Sequence, residues 1–352
     1  MTAPAPPAKQ PPLLTVENLQ VEFETYGGTV QAVRGVSFSV EAGKTLAIVG
    51  ESGCGKSVTV QALMGLVPMP PGRLKSGTAE LRGRNILGTS QIDGLDFRGR
   101  EIGMIFQDPM TSLNPTMTIG RQIAETLEVH LGWSRKKAFA RAIELLDMAR
   151  IPEAAQRAKQ YPFEFSGGML QRAMIAMAIA CEPAILIADE PTTALDVTIQ
   201  AQVLDLLGDL QREHGTAIIL ITHDLGVVAR MADEVAVMYA GQIVERGSVD
   251  DIFYRPAHPY TVGLRAAMPS NNPDAEHRLL PIEGSPPDLF SPPAGCAYAA
   301  RCPHAMRICS THEPAPFVVG ADHYGKCWLH HEKAAGGASM IAAAAAPPEK
   351  KS

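Results

Sequence analysis

The chain of 352 residues lacks any apolar run of the roughly 18–20 residues needed to cross a bilayer. Its N-terminus is rich in Ala and Pro with a lone Lys9, so it also lacks the charged and then apolar layout of a signal peptide. A surplus of basic residues is absent as well, and the net charge of −6 argues against nucleic acid as a partner. No internal repeat is visible. These absences predict a cytosolic protein that could still dock on a membrane.

The sequence has six cysteines, and none has the two-residue spacing of a zinc ribbon. Four of them come late in the chain, with five, six and seventeen residues between them. Because the cytosol is reducing, such a group indicates a metal rather than disulfides. Four thiolates on irregular loops could hold a [4Fe–4S] cluster or Zn²⁺, and unligated thiols in a small domain are the third possibility. These four residues are Cys296, Cys302, Cys309 and Cys327.

The stretch GESGCGKS follows an apolar run that is typical of a buried strand and precedes a stretch that is typical of a helix. It matches the phosphate-loop pattern of Gly, four residues, then Gly-Lys-Ser. Between a strand and a helix, such a loop aims its backbone N–H groups at an anion. Lys56 would reach the β- and γ-phosphates, and the Ser57 hydroxyl would take one Mg²⁺ position. The predicted nucleotide-binding residues are Gly50, Ser52, Gly53, Cys54, Gly55, Lys56, Ser57 and Val58.

Polar side chains stand at the ends of three further predicted strands. The apolar run 184–188 ends at Asp189, which would hold Mg²⁺, and Glu190, which would polarise the attacking water as general base. Gln107 ends a predicted strand and could reach both Mg²⁺ and water, and His223 follows the run 217–222. Taken alone, each is more often an ordinary surface residue. The alternation of strands and helices, however, predicts a parallel sheet whose strand ends meet beside the loop.

A second stretch also has the character of an anion-binding cradle. Ser166, Gly167 and Gly168 open a predicted helix, and a helix N-terminus attracts negative charge. One domain does not need two phosphate cradles. The presence of two therefore suggests a dimer in which the second cradle of each subunit closes over the nucleotide bound by the other. A plain Ser N-cap with flexible glycines is the alternative.

The order of these elements resembles the nucleotide-binding subunit of ABC transporters. In that family Gln107 would be the Q-loop, Asp196 the D-loop and His223 the switch histidine. The resemblance implies ATP hydrolysis and an α/β fold, with a P-loop NTPase (RecA-like) core, an antiparallel β subdomain and an α-helical subdomain at about 110–180. Tyr26 is the candidate to stack on adenine. Met169 stands where the family usually has Gln, so a polar contact from that position is in question.

Two segments and the late cysteines resemble one branch of that family, the oligopeptide/dipeptide importers, which also includes nickel importers. The segments are QDPMTSLNP from Gln107 and RPAHPYT from Arg255. The resemblance implies an ATPase at the cytoplasmic face of the membrane, working with two transmembrane permease subunits, a second ATPase and an extracytoplasmic binding protein. It favours a heterodimer of ATPases and a [4Fe–4S] cluster over Zn²⁺. A nickel or other small-solute importer, or a soluble ABC ATPase acting on ribosomes or nucleic acid, is the alternative.

These observations divide the chain into four predicted parts. Residues 1–13 would be a disordered N-terminus and residues 14–250 the nucleotide-binding domain. A C-terminal domain with the cysteines would follow at 251–332, and 333–352 would be a flexible tail.

Overall fold

The computed structural model describes residues 11–87, 96–193, 196–268, 282–334, 336–337 and 339–341. Most of the predicted disordered N-terminus and of the predicted flexible tail therefore lies outside the described residues. Within the described part of the chain, no helix is both long enough and apolar enough to cross a bilayer.

The strands supply two sheets. Their bounds are β1 (Leu14–Thr25), β2 (Gly28–Val40), β3 (Thr45–Val49), β4 (Gly72–Leu81), β5 (Arg84–Asn85), β6 (Ile102–Ile105), β7 (Ile185–Asp189), β8 (Ala217–Thr222), β9 (Glu234–Tyr239), β10 (Gln242–Ser248), β11 (Phe317–Gly320) and β12 (His323–Gly325).

The helices lie mostly between the strands of the larger sheet. Their bounds are α1 (Lys56–Leu63), α2 (Pro109–Ser112), α3 (Ile119–Leu131), α4 (Arg135–Met148), α5 (Ala154–Arg157), α6 (Gly167–Ala178), α7 (Val197–His214), α8 (Leu225–Met231), α9 (Val249–Tyr254) and α10 (Pro259–Ala266). The predicted helical stretch 119–150 is two helices, because Gly132 ends α3 in the left-handed conformation (φ 65°) and Ser134 precedes α4.

The larger sheet has the strand order β11-β12-β10-β9-β3-β8-β7-β6. Its centre, from β9 to β6, is parallel, as the alternation of strands and helices predicts. The smaller sheet, β2-β1-β4-β5, is antiparallel. The fold is therefore the predicted α/β class, with a P-loop NTPase core, an antiparallel β subdomain and helices α2 to α6 inserted between β6 and β7.

The central strands are apolar throughout because both of their faces are covered. In β7, Leu186 and Ala188 pack in a core with α3, α4, α6 and α7. The alternate residues Ile185 and Ile187 pack on the other side, in a core shared with α1 and the antiparallel sheet. This burial holds the carboxyl ends of the parallel strands, where the predicted site lies, on a rigid base.

The C-terminal region extends the larger sheet instead of forming a separate one. β12 pairs antiparallel with β10, with Glu245 opposite Gly325 and Arg246 opposite Tyr324. The cysteine-containing segment before β11 packs on the same side of the sheet as α8 and α9, in a core that includes Tyr239, Tyr260 and Tyr298. We call residues 282–334 the C-terminal extension.

Candidate active site

The phosphate loop, residues 50–57, follows β3 and leads into α1, as predicted. Two of its glycines are required by close approach of other backbone. A Cβ on Gly50 would lie 2.1 Å from the Met238 carbonyl oxygen, and a Cβ on Gly55 would lie 2.3 Å from that of Ala32. Gly55 is also left-handed, with φ 100°, at the N-cap of α1. Any larger residue at either position would displace the loop from its neighbours.

Lys56 is buried at the base of the loop. Its Nζ donates to the carbonyl oxygens of Gly50 (2.8 Å) and Glu51 (3.0 Å). These bonds satisfy the buried ammonium group and hold it against the first two residues of the loop. The side chain is thereby placed where the phosphate-loop pattern puts its lysine.

Ser57 and Asp189 meet at the start of α1 and the end of β7. The Ser57 hydroxyl donates to Asp189 Oδ1 at 2.9 Å. Burial raises the pKa of Asp189; the Ser57 hydrogen bond and Lys56 oppose this rise, and Glu190 adds to it. The pair offers hydroxyl and carboxylate oxygens, the ligands that Mg²⁺ prefers. These residues therefore fit a Mg²⁺ ion.

Glu190 lies at the centre of a polar group formed by three other side chains. Its Oε2 accepts from Gln107 Nε2 (3.1 Å) and from the Thr193 hydroxyl (2.9 Å). His223 Nδ1 lies 3.6 Å from its Oε1. The structure thus brings together the three predicted catalytic residues, Glu190, Gln107 and His223. Thr193, which the sequence did not single out, is a fourth member.

Lys56, Ser57, Gln107, Glu190 and His223 line one open cavity of about 660 Å³. Its polar end is formed by the phosphate loop, Gln107, Glu190 and His223, and its other end by apolar side chains. The apolar lining residues are Phe23, Val30, Ala32, Val58 and Leu289. Tyr26, the predicted adenine-stacking residue, lies fully exposed at the turn between β1 and β2 and does not line this cavity. Phe23, three residues earlier on β1, is the aromatic side chain that does.

The second predicted cradle lies away from this cavity. Ser166 is the N-cap of α6, it is exposed, and its side chain makes no capping hydrogen bond. Gly167 is exposed, and Gly168 packs against Ile199 of α7. Asp196 caps α7 by accepting from the backbone N–H groups of residues 198 and 199. The two residues before Asp196 lie outside the described residues.

The four late cysteines are close enough for their charges to interact. Burial raises the pKa of Cys296 to about 11 and that of Cys327 to about 12, and neighbouring thiols add to both shifts. Cys296 also donates its backbone N–H to the Cys309 carbonyl oxygen at 2.7 Å. Across the residues that the structure describes, however, no group of three or more His, Cys, Asp or Glu is arranged to hold a metal ion. The structure therefore does not support the predicted [4Fe–4S] cluster or its Zn²⁺ alternative.

The chain is similar to several transport proteins over most of its length. It is 58% identical to the oligopeptide transport ATP-binding protein OppD of Bacillus subtilis, over 91% of this chain and 89% of the relative. It is 53% identical to the dipeptide transport ATP-binding protein DppD of the same organism, over 91% and 96%. Among solved structures, the dimeric post-hydrolysis ATP-binding cassette MJ0796, bound to ADP and Pi, superposes with a TM-score of 0.60. It is 26% identical and covers 67% of this chain and 98% of that one.

Fold and site together define a P-loop ATPase. Residues 33–193 match the ABC transporter family, and residues 244–309 match the oligopeptide/dipeptide transporter C-terminal region. The chain belongs to the ABC transporter ATP-binding proteins, in the branch of the oligopeptide and dipeptide transport ATP-binding proteins. Its enzymatic activity is ABC-type hydrolysis of ATP.

Proposed function

We propose that this chain is the ATP-hydrolysing subunit of an importer that takes up oligopeptides or dipeptides across the cytoplasmic membrane. The observation that carries the proposal is the extent of the similarity. It covers the nucleotide-binding part, which many transporters share. It also covers the C-terminal region, which matches the family of oligopeptide/dipeptide transporter C-terminal regions.

The phosphate loop and the strand ends would bind ATP in an extended orientation along the cavity. Phe23 and the other apolar residues would contact the base, and the N–H groups of the loop and Lys56 would contact the phosphates. Ser57, Asp189 and Gln107 would hold Mg²⁺, which neutralises charge on the phosphates when it is bound. This orientation leaves the γ-phosphate beside Glu190.

Glu190 would act as general base on the attacking water. Its Oε2 accepts from Gln107 and Thr193, and these two hydrogen bonds fix the orientation of the carboxylate group. His223 is more than half exposed and lies next to Oε1, from where it can contact the γ-phosphate and the water. Asp196, with Ser166 and the two following glycines, would act across the interface of an ATPase dimer.

The helical insertion supplies a surface for the membrane subunits. Met110, Val129 and Phe163 are large apolar residues on this insertion, and each is more than 60% exposed. All three belong to the insertion between β6 and β7, and exposed apolar side chains of this size are candidates for contact with a partner. We therefore place two permease subunits here, with the chain peripheral at the cytoplasmic face. A second ATPase, forming a heterodimer, and an extracytoplasmic binding protein complete the proposed assembly.

The proposal is tested by identifying what the chain binds in its native host. The tagged chain is recovered from membranes solubilised in mild detergent, and the co-purifying proteins are identified. We expect two multi-span proteins and a second ATPase, with ATP hydrolysis stimulated by peptide-loaded binding protein. Stimulation by a nickel-loaded or other solute-loaded binding protein instead would correct the substrate. Recovery in the soluble fraction with ribosomes or nucleic acid would overturn the transporter assignment.

We also propose that the four late cysteines bind a metal, with a [4Fe–4S] cluster favoured over Zn²⁺. The support is that the four thiols lie close enough to one another to add to the rise in the pKa of Cys296 and Cys327. The bound group would join irregular segments that are 17 residues apart in the chain between Cys309 and Cys327. Its role would be structural, because these thiols do not line the nucleotide cavity.

A further inference from the structure

The C-terminal extension contacts the phosphate loop directly, through Arg301. The guanidinium group forms a bidentate ion pair with Glu51, with distances of 2.7 Å from Nη1 to Oε2 and 2.9 Å from Nη2 to Oε1. The Arg301 side chain is only 5% exposed and the Glu51 side chain 26%, so water screens this pair less than it would a pair on the open surface. Glu51 is the second residue of the loop, and it lies 250 positions before Arg301.

The extension also fixes the orientation of the guanidinium group. Arg301 Nε donates to the carbonyl oxygen of Glu283, and Nη2 donates to that of Ile282. Nη1 makes a further hydrogen bond to the Tyr239 hydroxyl at 3.2 Å. The planar group is therefore saturated by contacts on three sides, which Lys could not reproduce.

Glu51 connects this arginine to the lysine of the phosphate loop. Its carbonyl oxygen accepts from Lys56 Nζ, its backbone N–H donates to the Tyr260 hydroxyl at 2.9 Å, and its carboxylate binds Arg301. Every polar group of Glu51 thus has a partner. The Glu51 carbonyl oxygen binds Lys56, and the Glu51 carboxylate is bound by Arg301. A shift of Glu51 would therefore move Lys56.

The same segment of the extension reaches the other end of the nucleotide cavity. The Leu289 carbonyl oxygen accepts from the backbone N–H of Gln31 on β2 at 2.9 Å. The Leu289 side chain lines the apolar end of the cavity together with Phe23 and Val30. Residues 282–301 therefore line the nucleotide cavity through Leu289 and contact the phosphate loop through Arg301.

We propose that the C-terminal extension is a working part of the nucleotide site, with Arg301 as a positioning residue that acts on the phosphate loop through Glu51. The extension thereby sets the affinity of the loop for ATP. This inference rests on the ATPase activity and is independent of the transported substrate. It holds whether or not the cysteines bind a metal.

The test compares Arg301→Gln with Arg246→Gln in the full chain. Arg246 is the matched control, since it also pairs with a carboxylate, that of Glu234, but it does not contact the phosphate loop. For Arg301→Gln we expect KM for ATP and Kd for a fluorescent ATP analogue to rise about tenfold, because the partly buried Glu51 carboxylate loses its partner and no longer holds the loop in place. We expect kcat at saturating ATP to change less than about threefold, since the variant changes binding more than chemistry. Arg246→Gln should leave both binding constants unchanged, and Arg301→Lys should be intermediate.

A double-mutant cycle with Glu51→Gln separates positioning from general stability. If Arg301 acts through Glu51, the double variant should bind ATP no more weakly than Arg301→Gln alone. Additive effects would mean that the two residues act separately and would overturn the proposal. An unchanged Kd in Arg301→Gln, with only a lower Tm, would also overturn it. If Arg301→Gln does not fold, Glu51→Gln and Arg301→Lys decide: normal KM for ATP in both would contradict the proposal.

Discussion

Glu190 occupies an unusual backbone conformation at the end of β7. Its φ is 47°, in the left-handed region that few non-glycine residues adopt, and its N–H donates to the Ile221 carbonyl oxygen of β8 at 2.9 Å. This conformation turns the carboxylate towards Gln107, Thr193 and His223. Strain of this kind persists where the surrounding structure holds it in place, and it is common at functional sites.

Glu190→Gln should bind ATP with nearly normal affinity and lose at least about 100-fold in kcat, because the amide cannot accept the proton of the attacking water. The measurement is phosphate release at saturating ATP, alongside binding of a fluorescent ATP analogue. Glu182→Gln is the matched control, since Glu182 also has a positive φ (53°) but lies outside the cavity. Normal hydrolysis by Glu190→Gln would refute the assignment of Glu190 as the base.

The phosphate loop could be predicted from the sequence because its residues are consecutive and match the phosphate-loop pattern of Gly, Lys and Ser. The strand-end residues Asp189 and His223 could be predicted because apolar runs stop there. The apolar lining of the cavity could not, since the sequence does not show that Phe23 on β1 lies in it while Tyr26, in the turn after β1, does not. The ion pair of Arg301 with Glu51 leaves no sequence signal either, because a contact across 250 residues has no periodicity.

At the scale of elements, the C-terminal extension is joined to the core by backbone pairing. β12 adds to β10 and β11 adds to β12, so the extension continues the larger sheet. Residues 282–316, which precede β11, have little regular structure. The segment from 296 to 310 contains only short 3₁₀ turns. A segment with so few backbone pairs depends on side-chain contacts, or on a bound metal, for its order.

If the late cysteines bind the proposed metal, Cys302→Ser should remove it and lower Tm by roughly 5 °C, because loss of a structural metal removes folding free energy. Iron, sulfide and zinc content would be measured on anaerobically purified protein, together with thermal unfolding. Cys181→Ser is the control, since Cys181 is a half-buried thiol in the helical part of the chain. If metal content and Tm in Cys302→Ser match those of the unaltered chain, the ligand assignment is wrong.

At the scale of the whole molecule, the nucleotide cavity and the Ser166 cradle do not meet within one chain. The cavity is open, and its lining contains none of Ser166, Gly167 and Gly168. The cradle is an exposed helix N-terminus with an unused Ser hydroxyl, so it is available to a phosphate carried by a second ATPase. A cassette of the same fold has been solved as a dimer with ADP and Pi. In such a dimer, each nucleotide would lie between the nucleotide cavity of one chain and the Ser166 cradle of the other.

Ser166→Glu should therefore prevent ATP-dependent association of the ATPases while leaving ATP binding by the separate chain unchanged. The carboxylate would repel the γ-phosphate of the partner, but negative charge near a helix N-terminus is favourable, so misfolding of α6 is not the expected cause. Association is measured by sedimentation at saturating ATP in the Glu190→Gln background, with the co-purified second ATPase or, if none is recovered, with the chain itself. Ser134→Glu is the matched control, because Ser134 is also an exposed N-cap, of α4, without a capping hydrogen bond. We expect at least about tenfold weaker association in Ser166→Glu alone, since only this carboxylate faces a bound phosphate. Equal association of the two variants would show that the cradle does not contact the partner's nucleotide.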